Sequence, residues 1–215
     1  MPSAAKGSEP AGSEVDRLVA VMHRLRRECP WDAEQTHLSL VPYLVEESCE
    51  VVEAIEAGTS ADLREELGDL LLQVVLHSEL AAEDDAFDLQ AVAAGIADKL
   101  VARHPHVFEA DEVPTDLHAS WEQRKAVEKG RTSAVEGIPE RLSALSRAAK
   151  ILSRAQSRRV PLKTPERVEP ITDEVLGNAL LELVVRAQAS GLDAEQSART
   201  AVRRLEARVR EAERG

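Results

Sequence analysis

Five aromatic rings, two Trp, two Phe and one Tyr, are all that this 215-residue chain offers a core. The interior must then be filled by Leu, Val, Ile and Ala. That palette favours helix packed on helix, and the runs of alternating β-branched and aromatic residues that mark strands are missing. Hydrophobic residues make up 43% and charged residues 31%, an ordinary balance for a soluble globular protein with enough length to bury a core. The expected fold class is all-α.

Periodicity sets out the helices. Ser13, with Asp16 three residues on, caps a helix carrying Leu18, Val21, Met22 and Leu25 on one face. Cys29-Pro30-Trp31-Asp32 opens a loop. Further helices are expected over about 41–57, stopped by Gly58, then 61–82, 88–103 (ended by His104-Pro105) and 116–129. A basic helix over 140–158, a proline-bearing linker over 160–170, and helices over 172–190 and 194–214 complete the chain. Glu65-Glu66-Leu67-Gly68-Asp69 resembles Glu174-Val175-Leu176-Gly177-Asn178, and Asp88, Lys99 and Arg103 fall opposite Asp193, Arg204 and Arg208. The last 45 or so residues therefore read as a decayed second copy, or as chance likeness between amphipathic helices. The domain reading is a disordered tail over 1–13, a catalytic helical domain over 14–130, a connecting helix and linker over 131–170, and the degenerate repeat over 171–215.

The formal charge of −12 argues against a nucleic-acid polymer or an anionic membrane as partner, and requires a metal or clustered cations for any anionic ligand. Cys29 and Cys49 lack CxxC spacing, no apolar run approaches a membrane span, and the first residues have no apolar stretch like a signal peptide. A reducing cytoplasm is expected.

The chemistry concentrates in two helices. Glu46, Glu47, Glu50, Glu53 and Glu56 share one helix, and no Lys or Arg occurs between Thr36 and Arg64, so like charges repel with nothing to offset them. A solvated acidic face would give the same pattern. Asp69, however, sits within Leu67 to Leu76, apolar on nearly every side, where a carboxylate needs a partner or a metal. Glu66 stands one turn before it, and Gly68 is expected to let the two helices approach closely. Oxygen donors of this kind favour Mg²⁺, Mn²⁺ or Ca²⁺. A salt bridge from Asp69 to an arginine is the bland alternative. Lys99 and Arg103, one turn apart, make a small basic spot suited to a polyphosphate, or a face paired with neighbouring acids. Trp121 suits either base stacking or a core, and His104 and His106 suit a loop-fixing role better than metal ligation.

Glu46-Glu47-x-x-Glu50 followed by Glu66-x-x-Asp69 resembles the metal motif of the MazG family of nucleoside triphosphate pyrophosphohydrolases. So do Cys-Pro-Trp-Asp at 29–32, Pro42-Tyr43, Glu65 to Leu71, Lys99 to Phe108 and Trp121-Glu122-Gln123-Arg124-Lys125. The resemblance implies helical bundles completed by oligomerisation, as a homodimer, and hydrolysis of a nucleoside triphosphate to monophosphate and pyrophosphate. It implies Mg²⁺, with Mn²⁺ as substitute, on Glu47, Glu50, Glu66 and Asp69. It places Lys99, Arg103, Trp121, Lys125 and Trp31 at the nucleotide, and leaves Glu46 or Glu50 to take a proton from water. The second copy has lost the counterparts of Glu66 and Asp69, so the chemistry is expected in the first. Competing readings are a relative narrowed to dUTP or a phosphoribosyl-ATP, and an inactive helical interaction protein. A di-iron bundle would need two Glu-x-x-His pairs, and only Glu34 and His37 supply one.

Overall fold

A computed structural model describes residues 13–109, 112–162 and 170–215. Among them every regular element is helical: α1 (Glu14–Glu28), α2 (Pro30–Glu34), α3 (Val41–Ala57), α4 (Ser60–Glu83), α5 (Leu89–Arg103), α6 (Pro105–Phe108), α7 (Leu117–Glu128), α8 (Ala144–Ser157), α9 (Asp173–Ala189) and α10 (Ala194–Ala212). The all-α expectation holds. The expected tail and most of the linker lie outside the described residues. No described helix is long and apolar enough to cross a membrane.

The chain divides into two compact units, Met1–Ala102 and Arg103–Gly215. In the first, α3 and α4 form an antiparallel hairpin and α1 packs on α4. Met22, Leu40, Val75, Leu76 and Leu80 form its core, flanked by Leu18, Val19, Leu72 and Leu89. Ser13 and Asp16 make the expected capping box, and Thr59 with Asp62 makes a second one at the head of α4. Gly58 ends α3 for a steric reason: a Cβ there would lie 2.9 Å from both Cα and the carbonyl oxygen of Ala54. Only glycine permits so tight a link into α4.

Ile151 and Val209, both fully buried, lie in the second unit's core, where α8 packs on α10. Truncating Ile151 to Ala should cost about 2–4 kcal/mol, the transfer and cavity terms of a fully enclosed isoleucine. Chemical denaturation followed by helical circular dichroism measures it. An unchanged midpoint would mean that the α8–α10 contact contributes little.

Two expectations need correction. Cys29 to Asp32 does not open a plain loop: Pro30, preset for a first helical turn, starts the short α2. His104-Pro105 ends α5 at Arg103 as expected, and Pro105 in addition begins α6, which was not expected. The basic helix starts at Ala144 rather than Glu140, because the Ser143 hydroxyl accepts the N–H of Ser146 and fixes the cap there. In the proposed repeat, Asp88 and Asp193 play the same local part, accepting the N–H groups of Ala91 and Gln196 at the heads of α5 and α10.

Candidate functional site

The tight α3–α4 link sets the register of the carboxylates. Glu47 lies eleven residues before Gly58 and Asp69 eleven after it, while Glu50 and Glu66 stand eight before and eight after. In an antiparallel hairpin those pairs face each other. One carboxylate oxygen from each of Glu47, Glu66 and Asp69 falls within 4.8 Å of the others, and all three side chains are half-buried. Glu50 borders the triplet, and Glu46 is exposed on α3. The close approach is not made through Gly68, where an added Cβ would meet nothing within 4 Å. Gly68 sits on the outer side of α4, so the expectation that it brings the helices together fails.

The crowding shows in the acidities. Burial, then the charges of Asp69 and Glu50, holds the Glu47 carboxyl above the usual carboxylate range, and a hydrogen bond with Glu50 adds to this. Burial, then Glu50 and Glu65, raises Glu66 in the same way. Raised values mean that the metal-free fold binds these protons more tightly than the unfolded chain. Their contribution to stability is present at low pH and is lost as pH rises through the raised values. A divalent cation must displace the same protons. Added Mg²⁺ should therefore raise the melting temperature more at pH 7.5 than at pH 5. Thermal scans at both pH values, with and without EDTA, check this; equal shifts would separate cation binding from the triplet.

One turn beyond Asp69 on the same strip of α4, Gln73 is buried and its Oε1 has no hydrogen-bond partner among the described residues. A buried acceptor left unpaired is uncommon. A further turn on, His77 stacks parallel to His37, ring centroids 5.1 Å apart and Nδ1 atoms 2.8 Å apart. Burial, then His37, pushes His77 below its ordinary value. His37 is thus turned toward another imidazole. The sequence signal for Gln73 was available: it is the one amide in an apolar helical stretch.

The expected nucleotide contacts fall into separate groups. Lys99 is exposed on α5, and Trp31 is half exposed with its ring edge-on to Tyr43 at 5.9 Å. In the second unit, Arg103 donates through Nε at 2.9 Å to Glu128 and lies 4.9 Å over the Trp121 ring. His104 covers the same indole at 5.0 Å. Arg103 is therefore engaged within the second unit, by Glu128 and the Trp121 ring. Burial first, then the neighbouring cations Lys150, Arg131 and Arg154, depresses the Lys125 amine below its ordinary value, with Glu122 opposing.

The family model of the MazG nucleotide pyrophosphohydrolase domain matches residues 35–108, which span the whole carboxylate hairpin. A nucleoside triphosphate pyrophosphohydrolase of Escherichia coli K12 is 38% identical over 94% of this chain and 88% of its own length. The chain belongs to the MazG family. A MazG protein of Thermotoga maritima, named a nucleoside triphosphate pyrophosphohydrolase/pyrophosphatase, is 36% identical over 94% of this chain and 87% of its own length. An uncharacterized 26.1 kDa protein of Streptomyces cacaoi is 44% identical over 94% and 84%. The likeness to these relatives runs through both compact units. It therefore includes the second unit, which lies almost wholly outside the matched domain.

Proposed function

We infer that this chain hydrolyses nucleoside triphosphates to nucleoside monophosphate and pyrophosphate, with Mg²⁺ held by Glu47, Glu50, Glu66 and Asp69. The observation that carries the reading is the triplet of half-buried carboxylates brought within 4.8 Å across the α3–α4 hairpin. They repel one another, with no Lys or Arg between Thr36 and Arg64 in the sequence to offset them. Such a donor set, all oxygen and all anionic, suits a hard divalent cation, Mg²⁺ first and Mn²⁺ in its place. When bound, the cation neutralises phosphate charge and acidifies a bound water.

The chain's own groups complete the chemistry. Glu46, the exposed neighbour on α3, takes the proton of the attacking water; Glu50 is the alternative base. Lys99, Arg103 and Lys125 offset the charge that grows on the departing pyrophosphate. Arg103 does so only by loosening its hold on Glu128. Trp121 and Trp31 offer ring faces to a base, although Arg103 occupies one side of Trp121 in this structure. A homodimer is supported by apolar faces left exposed within single helices: Val45, Val52 and Ile55 on α3, and Leu181, Val184 and Val185 on α9. Sedimentation equilibrium tests it, and a monomer at micromolar concentration would refute it.

The deciding experiment is pyrophosphate release from a panel of NTPs and dNTPs, including dUTP and a phosphoribosyl-ATP, in Mg²⁺, Mn²⁺ and EDTA. Metal-dependent release with monophosphate as co-product establishes the reaction. Release from dUTP or the phosphoribosyl compound alone would narrow the substrate, and no release from any would make the chain a helical scaffold.

A further inference from the structure

The charges of the chain are unevenly placed. Residues 1–102 carry 7 Lys and Arg against 21 Asp and Glu, whereas residues 103–215 carry 20 against 18. Four of the second unit's arginines, Arg131, Arg154, Arg158 and Arg159, line one cleft of about 1390 Å³, walled by α7, residues 130–134, the end of α8 and the end of α10. Its acids are already engaged. Asp116 caps α7, Glu122 pairs with Arg154 at 3.2 Å, and Glu213 accepts the Ser133 hydroxyl at 2.6 Å and the Ala134 N–H at 2.7 Å.

Two of the lining arginines are engaged as well. Arg154, nearly fully buried, also donates to the carbonyl of Glu136, and Arg158 grips the carbonyls of Thr132 and Arg131. These bonds fix the loop. Arg131 and Arg159, which line the same cleft, have no side-chain hydrogen bond or ion pair among the described residues. Lys125 lies near Arg131, Arg154 and Lys150, and its amine is depressed first by burial and then by these cations, with Glu122 opposing. The cleft's acids are satisfied internally, Arg131 and Arg158 both act on Arg154 as like charges, and the Arg131 guanidinium rests against Gly137. Planar guanidinium forks fit phosphate oxygens, and two of them at one cleft fit a doubly phosphorylated group. A nucleic-acid polymer would need a continuous basic stripe, which a chain of charge −12 does not provide.

We propose that this cleft binds a pyrophosphoryl group through Arg131 and Arg159, without a divalent metal. The group comes either from free pyrophosphate or from the β and γ phosphates of a nucleotide.

The test is calorimetric titration of the full chain with inorganic pyrophosphate in EDTA at physiological salt. Saturable binding is expected in the wild type. Arg131→Glu and Arg159→Glu should each weaken it by about tenfold or more, roughly the loss of a charge-assisted hydrogen bond. Arg186→Glu, on α9 and away from the cleft, should leave it unchanged. Hydrogen exchange on the wild type gives a reading free of folding defects: pyrophosphate should slow exchange in the 130–135 loop. Orthophosphate, a monophosphate and a non-hydrolysable α,β-imido triphosphate identify the source. Tighter binding of pyrophosphate assigns the site to product, and tighter binding of the imido compound assigns it to nucleotide. Asp69→Asn should retain the binding even where it abolishes turnover, so a failed hydrolysis assay leaves this reading standing. The proposal is overturned by absent saturable binding, by orthophosphate binding as tightly as pyrophosphate, by charge-reversed variants binding as wild type, or by loss of binding in Asp69→Asn.

Discussion

Replacing Asp69 with Ala is expected to lower metal-dependent pyrophosphate release by about a thousandfold or more, while the far-ultraviolet circular dichroism stays near wild type. The magnitude follows from removing one ligand of a site where the cation both clamps phosphate and acidifies water. The sign of the stability change makes the prediction specific. Asp69 is among the charges that raise Glu47 and Glu66. Its removal relieves repulsion, so the metal-free variant should melt no lower than the metal-free wild type. Mg²⁺ should then stabilise the wild type and leave the variant unmoved. An active Asp69→Ala enzyme would sink the metal assignment. An inactive variant that melts well below wild type would make Asp69 structural. Glu50→Ala is expected to abolish turnover in the same way, because Glu50 faces Glu66 across the hairpin.

The second large effect is on stability, at Arg26. This side chain is nearly buried in the first unit and closes a double ion pair with Glu83, at 2.8 and 2.6 Å. It also donates to the carbonyls of Asp32 and Gln35. It thereby ties α1 to the end of α4 and holds down the segment that carries Trp31. Arg26→Ala leaves those acceptors without their donor; because water can reach the exposed Glu83 carboxylate, the cost should be about 1–3 kcal/mol, a fall of several °C in melting temperature. The hydrogen bond from Arg26 depresses the Glu83 carboxyl below its usual range, with burial opposing. The pair's contribution is therefore full above the usual glutamate value and disappears as pH falls through the depressed one. Wild type and variant should converge in stability at acid pH and differ most near neutrality. A loss that persisted unchanged into acid would assign the effect to packing of the arginine stem.

Much of the hairpin was legible in advance because its information is local. The i, i+3 spacing of Glu47 and Glu50, and of Glu66 and Asp69, fixes which carboxylates share a helical face. A carboxylate in an apolar helix has few stable environments. The capping box at Ser13 and Asp16 is likewise written in four residues. The small errors have local causes too: proline began a helix at Pro30 where it was read as opening a loop, and at Pro105 it began α6 besides ending α5 as expected.

The second unit was harder to read. Arg103 and Trp121 are eighteen residues apart, and nothing in their spacing says that the guanidinium stacks on the indole while bonded to Glu128. Nor does helical periodicity announce that Arg154 and Glu206 are buried, since each looks like an ordinary charge on an amphipathic helix. Gln73 shows the same division: its place on the Asp69 strip follows from sequence, but its unpaired oxygen depends on the side chains packed around it.

The sequence by itself determined the helical class, the two carboxylate pairs and their register about Gly58, because turn chemistry and a 3.6-residue period act over a few neighbouring residues. Only the tertiary structure decided which cations are engaged and which line the second unit's cleft without a bonded partner among the described residues, because the pairing of a flexible charged side chain depends on neighbours distant in sequence and on how much water the fold leaves between them.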